Sequence, residues 1–306
     1  MIRYIIKRVL IGVLTLFILT TVTFFLMKSI PGNPFTSERF KDPAILAAMN
    51  EKYGLDKPVF EQYIIYLKNV VKLDFGEMYS RKGFYVKDVL LEAAPVTIRL
   101  GLMAGAFALT VGITLGIVAA LSKKKWINNL VMVLATLGVS VPSFLLALML
   151  MIVFGVKFKI FPLIGLKTPL HYVLPVLALS FYPISYTSRL TRSSMIEVLK
   201  KDYITLARSK GLSWVSTVVK HGLKNALLPV VTYAGPMIAF LMTGSFVIEN
   251  LFTIPGIGSK MVSAIGNRDY SMIMGLTIFL GILIISATLI SDLVVAFVDP
   301  RVKFKK

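Results

Sequence analysis

The segment Arg189–Leu228, RLTRSSMIEVLKKDYITLARSKGLSWVSTVVKHGLKNALL, is a polar, basic stretch in an otherwise apolar chain. It carries eight Lys/Arg (Arg189, Arg192, Lys200, Lys201, Arg208, Lys210, Lys220, Lys224) against two acids (Glu197, Asp202), and Pro229 follows it. It is far longer than a simple helix–helix connection, which takes about 2–8 residues. Its apolar residues recur at helical spacing. Met195, Val198 and Leu199 give one stripe. Tyr203, Leu206 and Ala207 give another, and Trp214, Val215, Val218 and Val219 a third beyond Gly211. Asp202 is placed to cap a helix that begins at Tyr203, and Gly211 to end it. The pattern predicts a short capped helix at the inner membrane surface, with Arg208 and Lys210 exposed, that docks against a partner.

Composition sets the class around this segment. Hydrophobic residues make up 56% of the 306 positions and charged residues 16%, against a usual quarter or so. Several uncharged runs reach the roughly 20 residues that cross a bilayer as a helix. The chain therefore reads as an all-α integral membrane protein. The net charge of +19 would point to nucleic acid in a soluble protein. Here the excess is grouped in particular loops, as orientation in a membrane requires, and no nucleic-acid partner is expected. Cysteine is absent, and His171 and His221 are the two histidines. That excludes disulfides and thiolate sites and leaves little material for a metal centre.

Six spans are expected. The first follows Arg3, Lys7 and Arg8 and is uncharged from Val9 to Met27, longer than a signal h-region and without a cleavage site. The others are Leu100–Ser122, Trp126–Val156 (long enough to be tilted or kinked), Thr168–Ser188, Asn225–Ile248 starting in effect at Pro229, and Tyr270–Ser291 continuing to Val298. Residues 31–95 form an external insert, with nine acids balancing its bases. Asp42-Pro43 starts one helix in it, ending near Gly54, and Pro58 a second, ending near Lys72. The proposed cytosolic segments hold eighteen Lys/Arg against three acids, which places both termini inside. The division is thus a first helix (1–30), the insert (31–95) and a five-helix core (96–306) that includes 189–228.

Little in the chain carries chemistry. Gly256-Ile257-Gly258-Ser259-Lys260 lacks the spacing of a nucleotide-binding loop, and Asp74-Phe75-Gly76 lacks the other parts of a kinase. Asp292 is the one acid well inside a span, read as structural, and Glu249 sits at the outer end of its span as an interfacial residue. Gly101/Gly105 and Gly112/Gly116 favour close helix packing. Pro142 and Pro175 interrupt spans, as irregular backbone beside a cavity does. The chain is not read as an enzyme.

At Asp202-Tyr203-Ile204-x-x-Ala207-Arg208-x-Lys210-Gly211-Leu212, continuing to Lys224-Asn225-Ala226-Leu227-Leu228-Pro229, the sequence resembles the permease subunits of binding-protein-dependent ABC importers. The resemblance is closest to the first of the two paired permeases of the oligopeptide/dipeptide group, and it covers essentially the whole chain. Other matching stretches are Pro31-Gly32-Asn33-Pro34, Tyr53-Gly54-Leu55-Asp56-Lys57-Pro58, Ser140-Val141-Pro142-Ser143-Phe144, Glu249-x-x-Phe252-x-x-Pro255-Gly256, Arg268-Asp269-Tyr270 and Asp299-Pro300-Arg301. In the broader family's version of the loop a Glu and an Ala stand where this chain has Thr205 and Leu206; Ala207 and Gly211 match.

The resemblance implies the type I ABC importer fold, with six transmembrane helices, an external insert after the first and a cytosolic coupling helix between the fourth and fifth. It implies a second homologous permease, two cytosolic ATPases that bind ATP and Mg, an extracytoplasmic substrate-binding (lipo)protein, surrounding membrane lipid and a peptide substrate. No cofactor is expected on this chain. Asp202, Tyr203, Ala207, Arg208, Lys210 and Gly211 would form the contact with the ATPases. Ser140, Pro142, Glu249 and Asn250 are candidates for the pathway or gate. Dipeptides, nickel chelates or oligosaccharides are alternative cargoes for the same architecture. A self-sufficient secondary transporter and a membrane scaffold are the rivals from other classes.

Overall fold

The computed structural model describes residues 2–30 and 43–298. Asp42, the Pro31–Pro34 motif and everything from Asp299 onward, including the basic C-terminal end, lie outside them. Among the described residues the chain is helical, with one isolated antiparallel bridge, Glu77–Tyr85. It divides into two compact units, Met1–Val96 with Pro255–Ile285, and Thr97–Ile254 with Ser286–Lys306.

In the first unit, α1 (Ile2–Ser29) packs on the opening half of α14 (Tyr270–Val298). Glycines permit the approach: a Cβ on Gly281 would lie 2.7 Å from Leu19 Cδ2, and one on Gly12 would lie 2.8 Å from Ile285 Cγ2. Two short helices, α2 (Pro43–Lys52) and α3 (Val59–Val71), follow. Pro58 sets the start of α3, and Gly54, at φ +63°, turns the chain after α2. The α3 helix is fixed to the C-terminal half of α1 by a Thr21 Oγ1–Tyr63 Oη hydrogen bond of 2.7 Å and by aromatic contacts of Phe24 with Tyr63 and Tyr66. Asp74-Phe75-Gly76 is a turn: Asp74 Oδ1 accepts from Gly76 N at 3.0 Å. A helix α13 (Ile257–Gly266) completes the unit.

The second unit begins within α4 (Val86–Leu121), a helix long enough to span a bilayer. Its Gly112 and Gly116 face Thr187 and Thr191 of α7 (Leu170–Leu199) so closely that a Cβ on either would collide. The long predicted span 126–156 breaks at Pro142, as expected, into two helices, α5 (Lys125–Ser140) and α6 (Ser143–Leu150), bent by 107°. Pro142 holds Val141 extended (φ −87°, ψ 121°), so the helix must end at Ser140. Beyond α6 the chain runs on as a π-helical turn, Met151–Lys157. Pro175 and Pro183, by contrast, lie inside an unbroken α7, so Pro175 does not interrupt its span.

The predicted span 225–248 is also shorter than expected. The α11 helix (Leu228–Met242) stops where Gly244 enters the left-handed region at φ +81°, and a separate α12 (Phe246–Leu251) follows. Among the described residues three helices are long and apolar enough to span by themselves, α1, α4 and α14, and up to five spans result if each bent pair counts as one. The remaining predicted span, 168–188, lies in α7, diluted by His171, two prolines and several Ser and Tyr residues.

Candidate coupling site

No helix breaker separates Ser188 from Leu199, and α7 runs straight through this interval. Met195, Val198 and Leu199 therefore belong to the end of a long helix and not to a loop. They meet Val218, Leu223 and Ala226 from the returning segment and Ala120 and Leu121 from the end of α4 in one buried cluster. The chain then turns at Lys200–Lys201 into α8 (Asp202–Ser209).

Asp202 is the first residue of α8, not its cap. The cap position is Lys201, which makes no side-chain capping bond. Asp202 acts instead as a negative charge in the first turn, where the helix dipole favours it. The C-terminal end is as expected. Gly211 has φ +86°, its N–H donates to Arg208 O at 2.9 Å and Leu212 N to Ala207 O at 3.4 Å. This paired arrangement closes a helix with a glycine in the left-handed region.

Of the predicted apolar stripe on α8, Ala207 is buried as expected. Tyr203 and Leu206 are exposed, Leu206 by 57%, and Ile204 is buried in their place. Of the third stripe, Val218 alone is buried; Trp214, Val215 and Val219 are exposed. Arg208 and Lys210 are exposed as expected. The Arg208 guanidinium lies 5.3 Å from the Trp214 ring, a cation–π contact that spans the Gly211 turn. Ser213 caps α9 (Trp214–Thr217), accepting from Ser216 N at 3.3 Å. A π-helical turn, Val218–Leu223, and α10 (Lys224–Ala226) continue it. Asn225 Nδ2 donates to Tyr203 Oη at 3.2 Å and ties α10 back to α8. The Lys201–Glu197 ion pair at 3.0 Å is exposed and adds little.

The gate candidates do not form one cluster of polar groups. Ser140, Pro142 and Asn250 are exposed. Glu249 is fully buried, not interfacial, and accepts a 2.9 Å hydrogen bond from Thr97 Oγ1. A Cβ on Gly244 would lie 2.4 Å from Glu249 Oε1 and 2.6 Å from Thr97 Cγ2. The carboxylate thus fixes the turn between α11 and α12 to α4. Two further polar contacts carried no advance signal of a role: Arg192 Nε donates to Asn128 Oδ1 at 2.7 Å, joining α7 to α5, and Asp269 is buried at the start of α14. Among the described residues no group of His, Cys, Asp or Glu could hold a metal ion.

Residues 112–304 match the family described as binding-protein-dependent transport system inner membrane component, and residues 1–100 match its N-terminal companion. The chain belongs to this family. The dipeptide transport system permease protein DppB of Bacillus subtilis (strain 168) is 44% identical over 306 residues, covering 100% of this chain and 99% of that protein. The oligopeptide transport system permease protein OppB of Haemophilus influenzae is 42% identical, covering 99% of this chain and all of that protein. Among solved structures, the inward-facing MetNI methionine ABC transporter matches 69% of this chain and 96% of its own, with a TM-score of 0.56 at 18% identity. At that identity the likeness establishes the fold: this is the fold of ABC importer permeases. Like other members of the family, the chain is a permease subunit of the inner membrane and not itself an enzyme.

Proposed function

We propose that this permease subunit forms half of the translocation pathway of an ATP-driven importer for short peptides. Full-length similarity to dipeptide and oligopeptide permeases carries the substrate class. The capped α8 helix, with its exposed Tyr203, Leu206 and Arg208, supports the mechanism. In this reading a second, homologous permease completes the pathway, and two cytosolic ATPases bind ATP and Mg. ATPase closure moves α8, and through it the helices that line the pathway. An extracytoplasmic substrate-binding protein delivers the peptide at the face that carries the 31–95 insert. Both termini are cytosolic. Asp202, Tyr203, Ala207, Arg208, Lys210 and Gly211 form or support the ATPase contact. Ser140, Pro142 and Asn250 lie along the pathway, while buried Glu249 positions the turn beside it.

Reconstitution tests this directly. Proteoliposomes that hold both permeases and both ATPases, supplied with binding protein outside, take up labelled dipeptides and tripeptides only with internal ATP. Nucleotide-independent uptake by this chain alone would establish a secondary transporter instead. Competition by nickel chelates or oligosaccharides, but not peptides, would reassign the cargo. A cysteine at position 68 is labelled by a membrane-impermeant maleimide from outside whole cells; labelling from the cytosolic side only reverses the orientation.

A further inference from the structure

The first unit carries a cavity of about 450 Å³, within the roughly 300–1,000 Å³ of small-molecule sites. Its walls come from the C-terminal end of α1, the end of α2, α3, the chain just beyond α3 and the start of α14. Asp269 braces one side. It accepts from Tyr79 N (3.1 Å) and Ser80 N (2.9 Å), and so holds the 77–85 turn, itself closed by the Glu77–Tyr85 bridge, against the start of α14. Ser271 Oγ donates to Phe75 O at 2.8 Å beside it. Lys28 directly follows the uncharged run Val9–Met27, and Tyr270 opens the apolar α14. The cavity therefore belongs to the membrane–water boundary, within reach of lipid headgroups and of aqueous solutes.

Lys28 is the unusual group in this cavity. A lysine at the end of a span ordinarily lays its stem on apolar surface and puts its ammonium in water. Here the ammonium is tethered to the cavity wall. It donates to Gln62 Oε1, and the Gln62 amide is itself fixed, its Nε2 donating to Leu55 O (3.2 Å) and Lys57 O (2.7 Å). Lys28 Nζ also lies 5.9 Å from the ring centroid of buried Phe24. No carboxylate pairs with it among the described residues. A partly buried ammonium without a counter-charge is costly, and an oxyanion placed on it offsets that cost.

The uncommitted acids stand at the mouth. Glu77 is engaged by Lys52 Nζ (2.6 Å) and Tyr53 Oη (3.1 Å), and Lys57 by Glu61 (2.9 Å). That leaves Glu51 and Asp74, both exposed and neither in an ion pair among the described residues. Asp74 accepts from Gly76 N through one oxygen, at 3.0 Å, and keeps the other. A cation within and two anions at the rim complement a ligand that carries both charges.

We propose that this cavity binds a compact zwitterion, its oxyanion on Lys28 and its ammonium toward Glu51 and Asp74. Two sources offer that chemistry: a free amino acid or short peptide, and the headgroup of phosphatidylethanolamine. The proposal rests on the first unit alone and stands apart from the importer reading. The full chain is purified in dodecyl maltoside with whatever subunits accompany it. In one arm it is titrated with radiolabelled dialanine, alanyl-alaninamide and N-acetyl-dialanine in a scintillation proximity assay. A soluble ligand is read as dialanine binding about tenfold or more tighter than either blocked form. Lys28→Gln then removes the preference for the free carboxylate, and E51Q/D74N the preference for the free ammonium. The asparagine still accepts from Gly76 N, so the turn is kept. In the other arm, native mass spectrometry follows phosphatidylethanolamine and phosphatidylglycerol added to the same preparation. A headgroup ligand is read as retention of phosphatidylethanolamine over phosphatidylglycerol, lost in both variants. Selectivity in either arm upholds the proposal and names the source. Size-exclusion elution checks each variant; if Lys28→Gln fails to elute as the wild type does, the exposed pair E51Q/D74N decides alone. No binding in either arm, binding indifferent to blocked ends and to headgroup charge, or selectivity unchanged in the folded variants overturns the proposal.

Discussion

Replacing Gly116 with alanine tests the packing of α4 on α7. A Cβ at Gly116 would lie 2.5 Å from Thr191 Cβ, 2.9 Å from Thr191 Cγ2 and 2.7 Å from the Ser188 carbonyl oxygen. Ordinary contact begins at 3.4 Å, so the first of these is about 0.9 Å too close. A rotamer change cannot relieve it, because Cβ and the carbonyl oxygen move only with the backbone of α7. Overpacking of this kind costs about 1–3 kcal/mol, and the better helix propensity of alanine returns at most about 1 kcal/mol. The expected net loss is about 1–2 kcal/mol, read as a fall of roughly 2 °C or more in melting temperature. Gly222 supplies the control. Its nearest neighbours would be Leu199 Cδ2 at 3.7 Å and Thr217 O at 3.9 Å, so Gly222→Ala is neutral or slightly stabilising. Thr191→Ala does not rescue Gly116→Ala, since it retains Cβ. The assay is the thermal loss of the monodisperse peak of the purified complex in size-exclusion chromatography. Equal melting temperatures for the Gly116 and Gly222 variants would refute the close approach of α4 and α7.

Gly211→Val forces a β-branched residue to φ +86°, where strain arises from the backbone alone because no atom lies within 4 Å of the added Cβ; ATP hydrolysis by the assembled complex continues while peptide uptake falls, and normal uptake would remove α8 from the coupling path. The hydrogen bond from Lys52, then that from Gly83, holds the Glu77 carboxyl well below its ordinary 4.5, at about 2. Its contribution to the stability of the insert is therefore complete above pH 4.5 and is lost as pH falls toward 2; pepsin cleavage beside exposed Phe84 or Tyr85, taken relative to Glu77→Gln at each pH, should be slow near pH 4.5 and rise to the variant's level toward pH 2. Trypsin cleavage after Arg81 or Lys82 at neutral pH reads Asp269→Ala, which leaves the amides of Tyr79 and Ser80 without their acceptor at about 1–3 kcal/mol each; cleavage as slow as in the wild type would show that Asp269 does not anchor the turn.

The ends of α8 were legible because punctuation residues act locally. Gly211 takes the φ that ends the helix, and Asp202 stands within its first turn. Which face of α8 is buried was not legible. Tyr203/Leu206 and Ile204/Ala207 differ by one residue of rotation and both pairs are apolar, so the choice is made by what α9 presents. Pro142 announced a break, but no property of the sequence distinguishes a shallow kink from the 107° bend between α5 and α6. The burial of Glu249 depends on Thr97, 152 residues earlier, and that of Asp269 on Tyr79 and Ser80, about 190 residues earlier. Such pairings arise only when distant helices are brought together. Acids near helix ends look interfacial until their donors are known.

Under the proposed topology the basic charge of Arg189–Leu228 orients the chain, and it does not by itself specify a partner. Specificity comes from how α8 is mounted. Its buried residues are small or aliphatic, and it packs on α9. Through Asn225 and Tyr203 it is joined to α10. Beyond α9, the turn at Val218–Leu223 and α10 share a closed core with Met195 and Val198 of α7 and with Ala120 and Leu121 of α4. Close-packed interiors move as blocks and do not yield continuously. A displacement of α8 therefore passes into the ends of α7 and α4, two long helices locked together by Gly112 and Gly116. In the proposed importer, the exposed Leu206, Trp214, Val215 and Val219 give the ATPase something to grip, and the core behind them delivers the movement to the membrane.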